Sequence, residues 1–114
     1  MKTIVKSTGL LILFFSFYAS SVTAQTAEIK IKTSAQCGEC KERIEKALAF
    51  EKGIKKSDVN IKDQVITVVY YDKRTNPEKI REVISNSGYD ADDVPAKKDA
   101  YDALPTCCKK GGEK

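Results

Sequence analysis

The chain has 114 residues, with 20 Lys and Arg against 16 Asp and Glu, a formal charge of +4 and no histidine. A charge this mild, with both signs interspersed, argues against a nucleic-acid or membrane-surface ligand. The lack of histidine excludes a Ser-His-Asp relay and a mixed Cys–His zinc site.

The N-terminus has three parts. Lys2 and Lys6 precede an apolar run over residues 10–19 broken only by Ser16, and Val22-Thr23-Ala24 follows. This is the pattern of a secretory signal peptide, residues 1–24, with cleavage expected after Ala24. The apolar run is about half of the ~20 residues that span a bilayer, and the alternative is a retained anchor. No cysteine follows the cleavage point directly, so a lipid-attached form lacks its attachment residue. Cleavage leaves 90 residues, one small domain with a thin core. Loss of the two lysines lowers the charge from +4 to +2. The chain is expected to cross the inner membrane and to be periplasmic if its source is Gram-negative, with no membrane span after cleavage.

Residues 27–33 (AEIKIKT) alternate, Ile29 and Ile31 on one side, Glu28, Lys30 and Lys32 on the other, which predicts a strand with one buried face. Cys40, Ile44, Ala47 and Leu48 then recur at helical spacing. That helix is expected to begin near Cys37–Cys40 and to stop before Gly53. Residues 58–62 alternate again around Val59 and Ile61, Asp63-Gln64 reads as a tight turn, and residues 65–71 (VITVVYY) form a strand of β-branched and aromatic residues. Asn76 suits an N-cap, Pro77 the first helical position and Gly88 the position past the end, so a second helix buries Ile80, Val83 and Ile84. A short fourth strand is expected around residues 91–94, at an edge because Pro95 follows. The order βαββαβ gives an α+β, ferredoxin-like open-faced sandwich: a four-stranded antiparallel sheet with two helices on one face. Residues 25–96 form this domain, and residues 97–114 a C-terminal extension with a short helix at 97–104 and an end expected to be mobile.

Four cysteines survive cleavage: Cys37 and Cys40 at the strand-to-helix junction, and the adjacent pair Cys107 and Cys108. An exported chain allows disulfides, and four cysteines allow three pairings. The thiolate is the metal ligand, and a helix N-terminus favours it. Lys41 and Arg43 add positive charge, Glu39 and Glu42 oppose it, and Gly38 lets the loop turn both sulfurs toward one point. Two thiolates suit a soft ion of low coordination such as Cu(I). A structural zinc site needs four ligands, of which Cys37 and Cys40 supply half. A helix at 97–104, eight residues at ~1.5 Å each, is long enough to bring Cys107 and Cys108 back as additional ligands. The alternative is an unattached tail.

The blocks CGECKERIEKAL, GIKKSDVN, VITVVYYD and ISNSGYDA together resemble the heavy-metal-associated domain family, used by copper chaperones, modules of metal-pumping ATPases and periplasmic mercury-binding proteins. The resemblance covers residues 27–94. It implies that Cys37 and Cys40 are the metal ligands, with Cu(I) the first candidate and Hg(II), Zn(II) or Cd(II) further ones. It implies exchange with a metal-transporting ATPase or another metal-exchanging protein, in a monomer or a metal-bridged dimer. Many members carry a methionine beneath the metal loop where this chain has Ala35. Tyr89 falls in the loop that the fold places beside the metal loop, as a shield for the metal or as a core-edge residue.

Two other functions compete with an exported carrier or scavenger that is not an enzyme. Cys-Gly-Glu-Cys resembles the Cys-x-x-Cys of thiol–disulfide oxidoreductases, although Pro77, Pro95 and Pro105 have no evident place as a proline facing the cysteines. A purely structural role would favour a long loop such as Cys37–Cys107, which gains more from closure than Cys37–Cys40.

Overall fold

A computed structural model describes residues 25–109; the predicted signal peptide, residues 1–24, lies outside the described residues. Three strands, β1 (Thr26–Lys32), β2 (Ile54–Asn60) and β3 (Val65–Tyr71), form an antiparallel sheet in the order β1-β3-β2. The most apolar strand, β3, takes the centre. Its Ile66, Val68 and Tyr70 face inward, and Ile66 sits between Ile31 of β1 and Val59 of β2. Helices α1 (Gly38–Ala49) and α2 (Pro77–Asn86) close the core with Ile44, Leu48, Ile80 and Ile84, all fully buried. The Asn76 side chain accepts the Lys79 N–H at 2.8 Å and Pro77 opens the first turn of α2, as the sequence requires.

The expected second strand begins late. β2 starts at Ile54 rather than at residue 58 and ends at Asn60, and a register shift between Ile54 and Lys56 breaks the alternation there. Ile61 lies in the turn to β3, where Gln64 takes a positive φ of 53°.

The expected fourth strand does not form. Ala91 and Val94 instead pair with each other across a tight turn at Asp92-Asp93, and Ala91 makes one isolated bridge to Thr33. Asp92 accounts for this. Its backbone N–H donates to the Lys32 carbonyl, and its carboxylate accepts the Lys32 N–H, both at 2.9 Å, and the Arg81 Nε–H at 3.0 Å. A side chain therefore satisfies the β1 donor that a fourth strand would have used, and Asp92 itself sits at φ 51°. Pro95 offers no N–H to extend the pairing.

Beyond this turn the chain returns across α2. Ser85 Oγ donates to the Pro95 carbonyl at 2.7 Å, the Lys97 N–H donates to the Ser85 carbonyl at 2.9 Å, and the Ala96 N–H donates to Asp90 Oδ1 at 2.8 Å. A third helix, α3 (Lys98–Asp102), occupies part of the predicted segment 97–104. Leu104 is buried and Thr106–Cys108 form a 3-10 helix. Up to residue 109 the end is therefore packed rather than mobile as expected; residues 110–114 lie outside the described ones. Among the described residues no helix is long and apolar enough to cross a membrane.

Candidate metal centre

Cys37 is the N-cap of α1, in extended conformation, and its side chain makes no capping bond. Its carbonyl accepts the Lys41 N–H, and its sulfur, engaged in no cap, faces the site. Cys40 lies in the first turn of α1 and is fully buried. The two sulfurs stand 3.2 Å apart. The loop before them is pinned from three sides. Ala35 is fully buried, its carbonyl accepts from Gln64 Nε2 at 3.1 Å, and Ser34 Oγ accepts the Asp90 N–H at 3.0 Å. A small residue therefore fills the place beneath the loop.

The tail cysteines come to the same point. Cys107 Sγ is 3.4 Å and Cys108 Sγ 3.5 Å from Cys37 Sγ, and the two tail sulfurs are 3.9 Å apart. Cys37, Cys40 and Cys108 offer sulfurs all within 4.8 Å of one another, a group able to hold a metal ion. Cys108 is buried, while Cys37 and Cys107 are half-buried, and Cys107 also donates to Glu39 Oε2 at 3.5 Å. All four thiols are free.

Tyr89 is fully buried, and no hydrogen bond satisfies its hydroxyl. The thiols of Cys108 and Cys40 face that hydroxyl, and burial, reinforced by those two groups, holds its pKa far above the usual phenol value. It is both core and neighbour of the sulfur cluster.

Burial acts to raise the Cys37 pKa, but its hydrogen bonds with the Cys40 thiol and backbone, then with Cys107 and Cys108, outweigh it and bring the group to about 7. Cys107 is pushed up by its hydrogen bond with Cys37 and by burial, and Cys108 by burial and its hydrogen bond with Cys40. Of Cys37, Cys107 and Cys108, Cys37 is therefore the most readily ionised. Lys41 and Arg43 play a smaller part than the sequence suggests. Lys41 Nζ is turned toward β2, bonding Asp58 and the Val59 carbonyl at 3.0 Å and Glu45 at 2.8 Å; Arg43 pairs with Glu39 at 3.4 Å.

Sequence marked Gly88 only as the end of the second helix and did not identify the residues that seat the tail. Gly88 has φ 99°, and a Cβ there would meet the Ala100 carbonyl oxygen at 2.9 Å and Leu104 Cγ at 3.1 Å. Ser85, Asp90 and Leu104 complete the seat. The available signals were a serine on the inward side of α2 and the single leucine between Pro95 and Cys107.

A small α+β domain that gathers sulfurs at the start of its first helix is a soft-metal-binding module by fold and donor set. The chain belongs to the heavy-metal-associated domain family, which it matches over residues 31–90. It is 37% identical over 70 residues to a copper-exporting P-type ATPase of Staphylococcus aureus and 34% identical over 71 residues to one of Staphylococcus epidermidis. Those matches cover 61% and 62% of this chain and 9% of each ATPase. Among solved structures, the CopZ metallochaperone superposes with a TM-score of 0.56 at 27% identity, covering 57% of this chain and 98% of that one. Oxidized MerP from Ralstonia metallidurans superposes with a TM-score of 0.56 at 22% identity, covering 59% and 94%, and shares the fold.

Proposed function

We propose that this protein binds one soft metal ion through Cys37 and Cys40 and carries or scavenges it outside the cytoplasm. The observation that carries this reading is the pair of free sulfurs 3.2 Å apart, one capping α1 and one in its first turn. The helix N-terminus and the neighbouring thiols stabilise negative charge there, which a thiolate ligand needs. Cu(I) is the first candidate, supported by the copper-exporting relatives, with Hg(II), Zn(II) or Cd(II) as alternatives of the same soft or borderline class. Transfer proceeds by ligand exchange. An incoming thiolate forms a bond to the metal, the bond to Cys37 or Cys40 breaks with its electron pair returning to the departing thiolate, and the oxidation state of the metal is unchanged. The partner is a metal-transporting ATPase or another thiol-bearing metal protein, and the carrier works as a monomer or as a metal-bridged dimer.

An anaerobic Cu(I) titration of the reduced protein against a competing chelator tests this. Cys37→Ser/Cys40→Ser is expected to abolish tight binding, and retained binding refutes the assignment. A wild type that binds no soft metal but turns over insulin disulfides is instead an oxidoreductase. Fractionation of expressing cells, with the mature mass, tests export: loss of residues 1–24 is expected, and a full-length cytoplasmic product refutes it.

A further inference from the structure

We propose that the C-terminal segment 97–108 is a built-in lid that supplies Cys108 as a third sulfur ligand, so that this chain holds its soft ion in an enclosed three-sulfur site with Cys107 at the rim. This rests on the metal-binding reading above and specifies how the same site is completed.

Sulfur spacing carries the argument. At a metal–sulfur distance of ~2.3 Å, a linear two-sulfur site sets its sulfurs about 4.6 Å apart, whereas three- and four-sulfur sites have edges of about 3.8–4.0 Å. Cys37 lies 3.2 Å from Cys40 and 3.5 Å from Cys108, and all three sulfurs fall within 4.8 Å. Small outward movements of these sulfurs make a trigonal site; a linear one needs Cys37 and Cys40 to swing well apart.

The lid is seated by specific packing. Gly88 lets the Ala100 backbone approach where a Cβ would meet it at 2.9 Å, Leu104 is buried, the Ser85 carbonyl accepts the Lys97 N–H, and Ser85 Oγ and Asp90 fix the backbone of Pro95 and Ala96 that leads into the segment. A separate observation marks the same point. Tyr89 is fully buried, and its hydroxyl has no hydrogen bond in the apo protein, which leaves it available to a sulfur that holds the ion. Burial also divides the sulfurs. Cys40 and Cys108 are enclosed, and Cys37 and Cys107 remain reachable, so an acceptor thiolate must enter on the Cys37 side or displace the lid. Each thiol that joins the ion releases one proton to solvent, and the oxidation state of the metal does not change.

Cd(II) serves as the probe, added to the reduced protein and followed by sulfur-to-metal charge-transfer absorbance per bound ion and by the rate of transfer to excess chelator. Cys108→Ser is expected to remove one of three sulfur contributions. It should also accelerate transfer more than about tenfold, the least that loss of an outer partner typically costs. Leu104→Asp keeps every sulfur but unseats the lid. It should accelerate transfer in the same direction, with circular dichroism confirming that the domain stays folded. If both variants match wild type in absorbance and transfer while Cys37→Ser/Cys40→Ser loses the ion, the lid is refuted and the two-cysteine carrier stands. If Cys37→Ser/Cys40→Ser binds as wild type does, the carrier reading fails and the lid falls with it.

Discussion

Substituting Gly88 by alanine should destabilise the apo protein through two separable effects. The residue sits at φ 99°, and a side chain in that region costs roughly 1–2 kcal/mol. The added methyl would also lie 2.9 Å from the Ala100 carbonyl oxygen and 3.1 Å from Leu104 Cγ. A backbone oxygen cannot rotate aside, so overpacking adds roughly 1–3 kcal/mol. Reduced freedom of the unfolded chain returns about 0.4–1 kcal/mol. The net loss is then about 2–4 kcal/mol. Leu104→Ala alone should cost about 2 kcal/mol, the low end for a buried leucine, because its segment lies at the periphery and can relax. The two should not add. With the leucine anchor gone, α3 lifts off the new methyl at little further cost, and only the backbone strain remains. The double variant is expected to be more stable than the sum by roughly 1–2 kcal/mol, within the range for residues in contact. Urea unfolding of the four reduced proteins by far-ultraviolet circular dichroism measures this directly. Additivity within about 0.5 kcal/mol would show that α3 does not press on Gly88 and would refute the packed tail.

Asn76→Ala should lower stability by about 1 kcal/mol, measured in the same unfolding assay, because the bond to the Lys79 N–H is lost from the start of α2. Tyr89→Phe removes a hydroxyl that has no hydrogen bond in the apo protein, so it should leave apo stability unchanged or raise it by up to about 1 kcal/mol; Tyr89→Ala should cost about 3–5 kcal/mol. Alkylation by iodoacetamide, mapped by peptide mass, should modify Cys37 with a rate that rises through about pH 7, with Cys108 protected until the tail opens. Thiol ionisation should also shape apo stability. Cys37 has a folded pKa of about 7 against an ordinary 9.0, so its contribution is present in full above pH 9 and falls away as pH drops through 7. Cys107 and Cys108 are raised, so their contributions are present in full below pH 9 and fall away above it. The thiol contribution to reduced, metal-free stability should therefore peak near pH 9, and chemical unfolding of wild type against the four-serine variant across pH 6–10 isolates it.

Local signals carried β3, α1 and α2 from sequence to structure, because each has one period and one buried face, and Asn76, Pro77 and Gly88 mark the ends of α2 without ambiguity. The start of β2 was hidden by its own irregularity: Lys55-Lys56-Ser57 follows Ile54 across a register shift, so no alternation is visible there. The missing fourth strand turns on one side chain. Nothing local reveals that the Asp92 carboxylate reaches Lys32, 60 residues earlier in the chain. The sulfur pair at Cys37 and Cys40 is legible from spacing alone. The approach of Cys107 and Cys108 depends on a five-residue helix too short to show periodicity, and Gly88 reads equally well as an ordinary helix terminator. Its second role, leaving room for Ala100, exists only in three dimensions.

The contact between Cys37 and Cys107 spans 70 positions of chain. A polypeptide made from its N-terminus presents Cys37 and Cys40 long before the tail exists, and loop closure over that length comes late relative to the local turns of α1. The nascent domain therefore passes through a stage with an open pair of thiols and no cover. Order of synthesis alone exposes the Cys37–Cys40 pair before the residues that pack over it exist.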